Sequence, residues 1–322
     1  MLCDLIHKLV EEVSIMRNVK LISFFVLVFL LPIKLHADND YSGSFQIRYG
    51  VVDFHKTSTS IFNDDEAPNY KPFSLQTWIA KKYAADTDIF LMSKIETFNP
   101  HGTETSSLYV ADDSPDLSIL IDAGVIKNYG DFSVEFGSKF IRNRITSRGG
   151  GENDADKRPY DYRRIIGGYI NSALDLGNNT IMGTFGLLAN QKAYGRKHID
   201  EIVYAQIFYN HKIDEQLDFK ISRLSFRSAL KDKPTKPDES GHDIDRTSIG
   251  ISYEMKNYQI EAGFNRYTIR YKIKSKIADG DAFFLSLSIP FGDKDIRKRH
   301  ALMIENKPLL GYEENLMSGV AE

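Results

Sequence analysis

The residues best suited to chemistry stand in long polar segments. His55, His101, His198 and His242 lie in or beside them, and one heads the string His101-Gly102-Thr103-Glu104-Thr105-Ser106-Ser107. A histidine near hydroxyls is the raw material of nucleophilic catalysis, in which the imidazole takes the hydroxyl proton and an acid orients the ring. This spacing positions no acid partner, so the string reads as an exposed loop. Acidic residues also cluster: Asp64-Asp65-Glu66, Asp112-Asp113 with Asp116, Glu152 with Asp154 and Asp156, and Asp238-Glu239 with Asp243 and Asp245. Carboxylates at such spacings are hard oxygen ligands for Ca²⁺ or Mg²⁺. None has the EF-hand pattern, and solvated charge is the simpler reading. Gly149-Gly150-Gly151 lacks the strand-to-helix context and the lysine of a phosphate loop. The sequence therefore points to no catalytic residue, no metal and no cofactor.

What positions these segments is a β-rich chain. The 322 residues are 42% hydrophobic, 26% charged and 12% aromatic, with 17 Tyr and 20 Phe against a single Trp and a single Cys. Tyr and Phe favour pleated surfaces. A mean hydropathy of −0.33 excludes a bundle of membrane helices, and a net charge of −3 argues against a nucleic-acid partner.

Leu21 to Ile33 is the exception to the polar average. It is an apolar run preceded by Arg17 and Lys20 and followed by Leu35-His36-Ala37, the layout of a secretory signal peptide. It is shorter than the ~20 residues a membrane-spanning helix needs. The reading is that residues 1–37 comprise an upstream stretch and a signal peptide, that Met16 is the true start, and that cleavage follows Ala37. Cys3 then lies outside the mature chain, which excludes disulfide and zinc–thiolate chemistry.

From residue 40 onward, period-two alternation recurs. Phe132, Val134, Phe136 and Phe140 alternate with polar or small residues, as do Ile249, Ile251, Tyr253 and Met255, and Phe283, Leu285, Leu287, Ile289 and Phe291. The same rule marks further strands near 43–54, 73–83, 88–98, 117–127, 164–176, 180–190, 202–213, 217–226 and from Tyr258, about twelve in all. The phase slips at Arg223 and at Asn265–Arg266, where Tyr267, Ile269, Tyr271 and Ile273 take over as the apolar face, and each slip predicts a bulge.

The connections alternate in length. Short links at Ala84–Thr87, Asn128–Asp131, Gly177–Asn179, Asp214–Gln216 and Lys256–Asn257 separate the long segments 55–72, 99–116, 146–163, 191–201 and 227–245. A soluble sandwich or lipocalin-like barrel would show the same alternation, but long loops at one end and tight turns at the other belong to an outer-membrane barrel. A strand in lipid must pair every backbone group, so the sheet has to close. The expected fold is all-β, a closed antiparallel up-and-down transmembrane barrel over residues 38–291, with aromatics such as Tyr41, Tyr83, Tyr129, Phe226 and Tyr258 as girdles and a periplasmic tail over 292–322.

The last strand, Phe283 to Phe291 (FFLSLSIPF), resembles the terminal assembly signal of Gram-negative outer-membrane proteins. The resemblance implies an outer-membrane location, with lipid, lipopolysaccharide and the barrel-assembly machinery as partners, and it assigns the signal to Phe283, Leu285, Leu287, Ile289 and Phe291. It departs from the pattern because residues 292–322 follow. That tail, basic at first and then broken by Pro308 and Gly311, reads as disordered or as a short helix under or inside the barrel.

If the apolar faces meet lipid, the alternate residues point inward: Gln46, Arg48, Lys94, Glu96, Asp122, Glu135, Lys139, Gln206, Asp218, Lys220, Glu254, Gln259, Glu261, Arg270, Lys272, Ser286 and Ser288. The interior has mixed charge. Either these charges pair and fill it, or they line an aqueous path. The His-x-Ser-Asn-Gly string of phospholipase barrels is missing. The expectation is a porin-like channel for small solutes or oligosaccharides, against a non-transporting barrel for surface interaction or envelope organisation and against a barrel component of polysaccharide or protein export.

Overall fold

The computed structural model describes residues 41–55, 69–98, 100–101, 116–145, 161–191, 199–230, 242–271 and 277–306. Among them, twelve long strands form one antiparallel sheet in chain order: β1 (Tyr41–His55), β2 (Phe73–Ala84), β3 (Thr87–Phe98), β4 (Asp116–Tyr129), β5 (Phe132–Ile145), β6 (Asp161–Asp175), β7 (Asn179–Gln191), β8 (Ile199–Lys212), β9 (Leu217–Leu230), β10 (His242–Glu254), β11 (Gln259–Tyr271) and β12 (Ile277–Gly292). β12 pairs with β1 from Ser42↔Gly292 to His55↔Asp279, which closes the sheet into a barrel with no free edge. Two-residue ladders at Asn69–Tyr70 and Pro100–His101 extend the wall beyond β1.

The tight links are turns for stated reasons. Gly130 and Gly177 adopt positive φ, which costs a glycine nothing. The Asp214 carboxylate accepts the backbone N–H groups of Gln216 and Leu217 at 2.7 and 2.8 Å. Both ends of the sheet, Tyr41 and Gly292, lie at this short-turn end, where the Asp293 N–H donates to the Tyr41 carbonyl.

The outward face carries an apolar belt that includes Leu91, Ile121, Phe136, Ile170, Phe185, Ile207, Ile251, Phe283 and Leu285, each at least 40% exposed. Only a lipid environment removes such a belt from water. Exposed Tyr83, Tyr129 and Tyr258 border it at the short-turn end, and exposed Arg142, Arg223 and Arg266 border it at the other.

Two sequence expectations are corrected here. No register shift occurs at Arg223 or at Asn265–Arg266, where pairing runs unbroken from Leu217↔Tyr253 to Arg227↔Asp243 and from Gln259↔Ser288 to Arg270↔Ile277. The apolar residues beyond each slip stay on the inner face: Leu224, Phe226, Ile244 and Tyr267 join Val52, Leu120, Ile141, Ile165, Leu188 and Ile202 in an internal apolar layer. Phe226 therefore belongs to the interior and not to a girdle.

The tail does not stay outside the barrel over its first part. α1 (Lys294–Asn306) enters at the short-turn end and packs against β1, β2, β6 and β12. Its Met303 and Ile304 are fully buried in the same apolar cluster as Trp78 and Tyr204. Burying one such side chain contributes about 1.5–3 kcal/mol. Residues 307–322, the signal segment 1–37 and the assignment of Met16 as start lie outside the described residues.

Candidate functional site

The interior is asymmetric because the inward residues differ in size around the wall. On β2 to β8 they are large: Trp78, Phe90, Met92, Tyr169, Met182, Tyr204 and Phe208. On β9 to β12 and β1, below the apolar layer near the loop end, small residues recur, with Ser222, Gly250, Ser252, Ser286, Ser288, Ser42 and Ser44 all buried from bulk solvent. The helix packs against β1, β2, β6 and β12, and space remains beside it towards β9 to β11.

Polar contacts fix the helix there. His300 Nε2 lies 2.6 Å from Asp88 Oδ2 on β3, Trp78 Nε1 donates to Glu305 Oε1 at 2.8 Å, Asn171 donates to the Met303 carbonyl at 3.4 Å, and Gln206 donates to the Asn306 carbonyl at 3.2 Å. Four strands thus hold one helix. Glu305 is half-buried, and burial raises its carboxyl above the usual range while the Trp78 hydrogen bond opposes part of that rise.

Behind the helix, Asp122, Glu135 and Lys139 are fully buried with Asn171. The Tyr169 hydroxyl contacts Asp122 at 2.7 Å and also Glu135. Asn171 donates to Glu135 at 3.0 Å, and the Lys139 ammonium stands over the Tyr169 and Tyr204 rings at 4.7 and 5.3 Å. These sequence-nominated charges bond through Tyr169 and Asn171 and fill the wall, and they line neither of the two cavities described next.

The remaining charges line space. The register sets Glu96, Ser74, Arg48, Ser286, Glu261, Ser252 and Asp218 on one continuous rung across seven strands. A lower cavity of about 820 Å³ runs from the short-turn end between the helix and this wall, lined among others by Ser44, Asp218, Glu254, Gln259 and Ser288. An upper cavity of about 120 Å³ is lined by Arg48, Lys94, Glu96, Arg246, Glu261 and Tyr267 among others. Lys220, Glu305 and Asn306 line both, so these three residues form the join between the two cavities. At this join Glu261 Oε1 accepts from Arg48 Nη2 at 3.3 Å and Oε2 from Lys220 Nζ at 2.6 Å, while Lys94 and Glu96 pair at 2.8 Å.

No family model matches the sequence, and no curated protein matches it. Solved structures do. An outer-membrane channel from Pseudomonas putida F1 superposes with a TM-score of 0.57 at 8% identity, covering 79% of this chain and 96% of that one. The fold is that of an outer-membrane β-barrel. The translocator domain of the autotransporter NalP from Neisseria meningitidis (TM-score 0.44, 12% identity, 83% and 96% covered) and the NanC porin (0.44, 10%, 76% and 98%) are more distant outer-membrane barrels.

In this outer-membrane barrel, Arg48, Lys94, Glu96, Lys220, Glu254 and Glu261 border the cavities, and Asp122, Glu135 and Lys139 are packed away. Arg270 requires correction: with no bulge at Asn265, it shares the outward face with Arg227 and Asp245, and its Nη1 bonds Asp245 at 3.2 Å. Lys272 lies outside the described residues, as do Asp64-Asp65-Glu66, Asp112-Asp113 and residues 102–107. On the terminal strand, Phe283, Leu285 and Ile289 face outward and are exposed, Leu287 is half-buried, and Phe291 is buried. Sequence reasoning missed His300, Asp88, Trp78, Tyr169 and Tyr204. The lone tryptophan on an inward parity was the available signal.

Proposed function

We propose that the chain is an outer-membrane channel for small solutes, in which the helix occupies one side of the lumen and solute passes along the serine-rich wall of β9 to β12 and β1. The single observation that carries this reading is the pair of cavities that share Lys220, Glu305 and Asn306 in their linings, beside a wall bearing small polar residues. A lumen meant only to be filled has no need of such a wall, since large side chains fill the opposite one. The similarity to the P. putida channel supports the fold on which the reading depends. Location in the outer membrane, secretion through the signal segment, use of Phe283, Leu285, Leu287, Ile289 and Phe291 as assembly signal, and lipopolysaccharide at the arginine-bordered rim belong to the same proposal. No catalytic role is assigned to any residue.

The helix in the lumen favours one alternative, a non-transporting barrel whose outer segments do the work. Planar-bilayer recording of the refolded chain separates the two. Stable unitary currents support the channel. A protein that shows heat-modifiable mobility on gels, and so keeps its barrel, but never conducts supports the alternative.

A further inference from the structure

If the passage exists, the charges at its narrowest point choose among ions, because there the ion cannot keep its distance from the wall. At the join, Glu261 is engaged on both oxygens, by Arg48 and by Lys220, so two cations share one carboxylate. Lys94 and Glu96 neutralise each other. Glu305 is engaged by Trp78 on the helix side.

Arg48 keeps unused capacity. Its guanidinium lies over the Phe284 ring, 4.1 Å from the centroid, which fixes its plane and shields one face. Its Nη2 is engaged by Glu261, and its Nε and the Ser286 hydroxyl beside it on the rung are closed off from solvent, so what meets the cavity is the rest of the side chain. The side chain is 33% exposed, within the lining of the upper cavity. A guanidinium fixed in its plane, partly exposed to the cavity and with an ammonium nearby, is a donor set that recognises an oxyanion.

We propose that Arg48, with Lys220, forms an oxyanion-binding step in the passage, so that the channel takes small carboxylates and inorganic anions in preference to cations. The inference rests on the channel reading. The lower cavity is acidic, with Asp214, Glu215, Asp218 and Glu254 against Lys212 and Lys256. It is also wide and wet, so those charges act through a screening length of ~8–10 Å, whereas an ion at the join is in contact with Arg48.

The test is the reversal potential of the full chain under a potassium chloride gradient, beside Arg48→Gln and Arg48→Lys variants whose folding is checked by heat-modifiable mobility. The expected result is a several-fold preference for chloride over potassium, lost in Arg48→Gln and partly kept in Arg48→Lys. A conducting wild type without anion preference, or an Arg48→Gln variant identical to it, overturns the proposal and leaves the channel reading standing. Absence of current overturns the channel reading instead. The site is then decided by line broadening of ¹³C-acetate in the folded detergent-solubilised chain: broadening lost in Arg48→Gln supports it, and no broadening overturns it.

Discussion

His300 on α1 and Asp88 on β3, 212 positions apart in sequence, meet at 2.6 Å with both side chains buried. Asp88 also accepts from Asn128, whose oxygen accepts from Ser133, so the helix is tied into the β3–β5 wall by a chain of side chains. A hydrogen bond to a charged group contributes about 1.5–3 kcal/mol. His300→Ala is expected to loosen the helix. The readout is Trp78, the sole tryptophan, 1% exposed beneath it: its emission shifts to the red and acrylamide quenches it more in the variant. Unchanged quenching would mean that the contact does not hold the helix.

Tyr204 lies over Gly186 and Tyr169 over Gly137, where a Cβ would enter the ring. Overpacking of this kind costs about 1–3 kcal/mol. Gly186→Ala should lower the temperature at which the folded gel band is lost, and adding Tyr204→Leu should restore part of it. Equal melting of Gly186→Ala and the parent would contradict the packing described.

Burial raises the Glu305 carboxyl, so the docked helix favours its protonated form. A raised value in the docked state gives a contribution that is complete below the free carboxyl range, ~4.3, and fades as pH climbs through the raised value. Trp78 should therefore become easier to quench as pH rises from about 4 towards neutrality, and Glu305→Gln should flatten that profile. Protection that grows with pH reverses the sign and refutes the assignment.

Outside the apolar belt, Arg227 bonds Asp245 at 3.0 Å and Arg270 bonds it at 3.2 Å. These ion pairs are partly exposed, so Asp245→Asn should cost less than about 1 kcal/mol. It also releases Arg270 at the rim for phosphate, while Arg227 keeps Asp243 and the Phe226 and Ile244 carbonyls. Lipopolysaccharide co-purification should rise in the variant, and unchanged retention removes this rim from the proposed contact.

The barrel was legible because two signals agree: alternation named the strands, and the alternation of link length told which ends they share. The interior was legible only where its inner face stays polar. Near the loop end the inner face turns apolar, at Leu224, Phe226 and Tyr267, and in sequence that change is indistinguishable from a change of phase. The inferred bulge at Asn265 then carried Arg270 to the wrong face. Periodicity reports a difference between faces without saying which face meets lipid. The helix was one of two readings of the tail, and the choice between them was hidden for another reason. Its buried residues, His300, Met303 and Ile304, find partners on strands far away in sequence, and Pro308 and Gly311 nearby give the tail a broken look.

The central claim is that a helix-narrowed passage runs along the serine-rich wall. The most direct test compares single-channel currents of the full chain with those of a chain ending at Asp293, both shown to be folded barrels by heat-modifiable mobility. Small unitary currents are expected from the full chain and larger ones once α1 is gone. Identical conductance in the two proteins, or none in either, would contradict it.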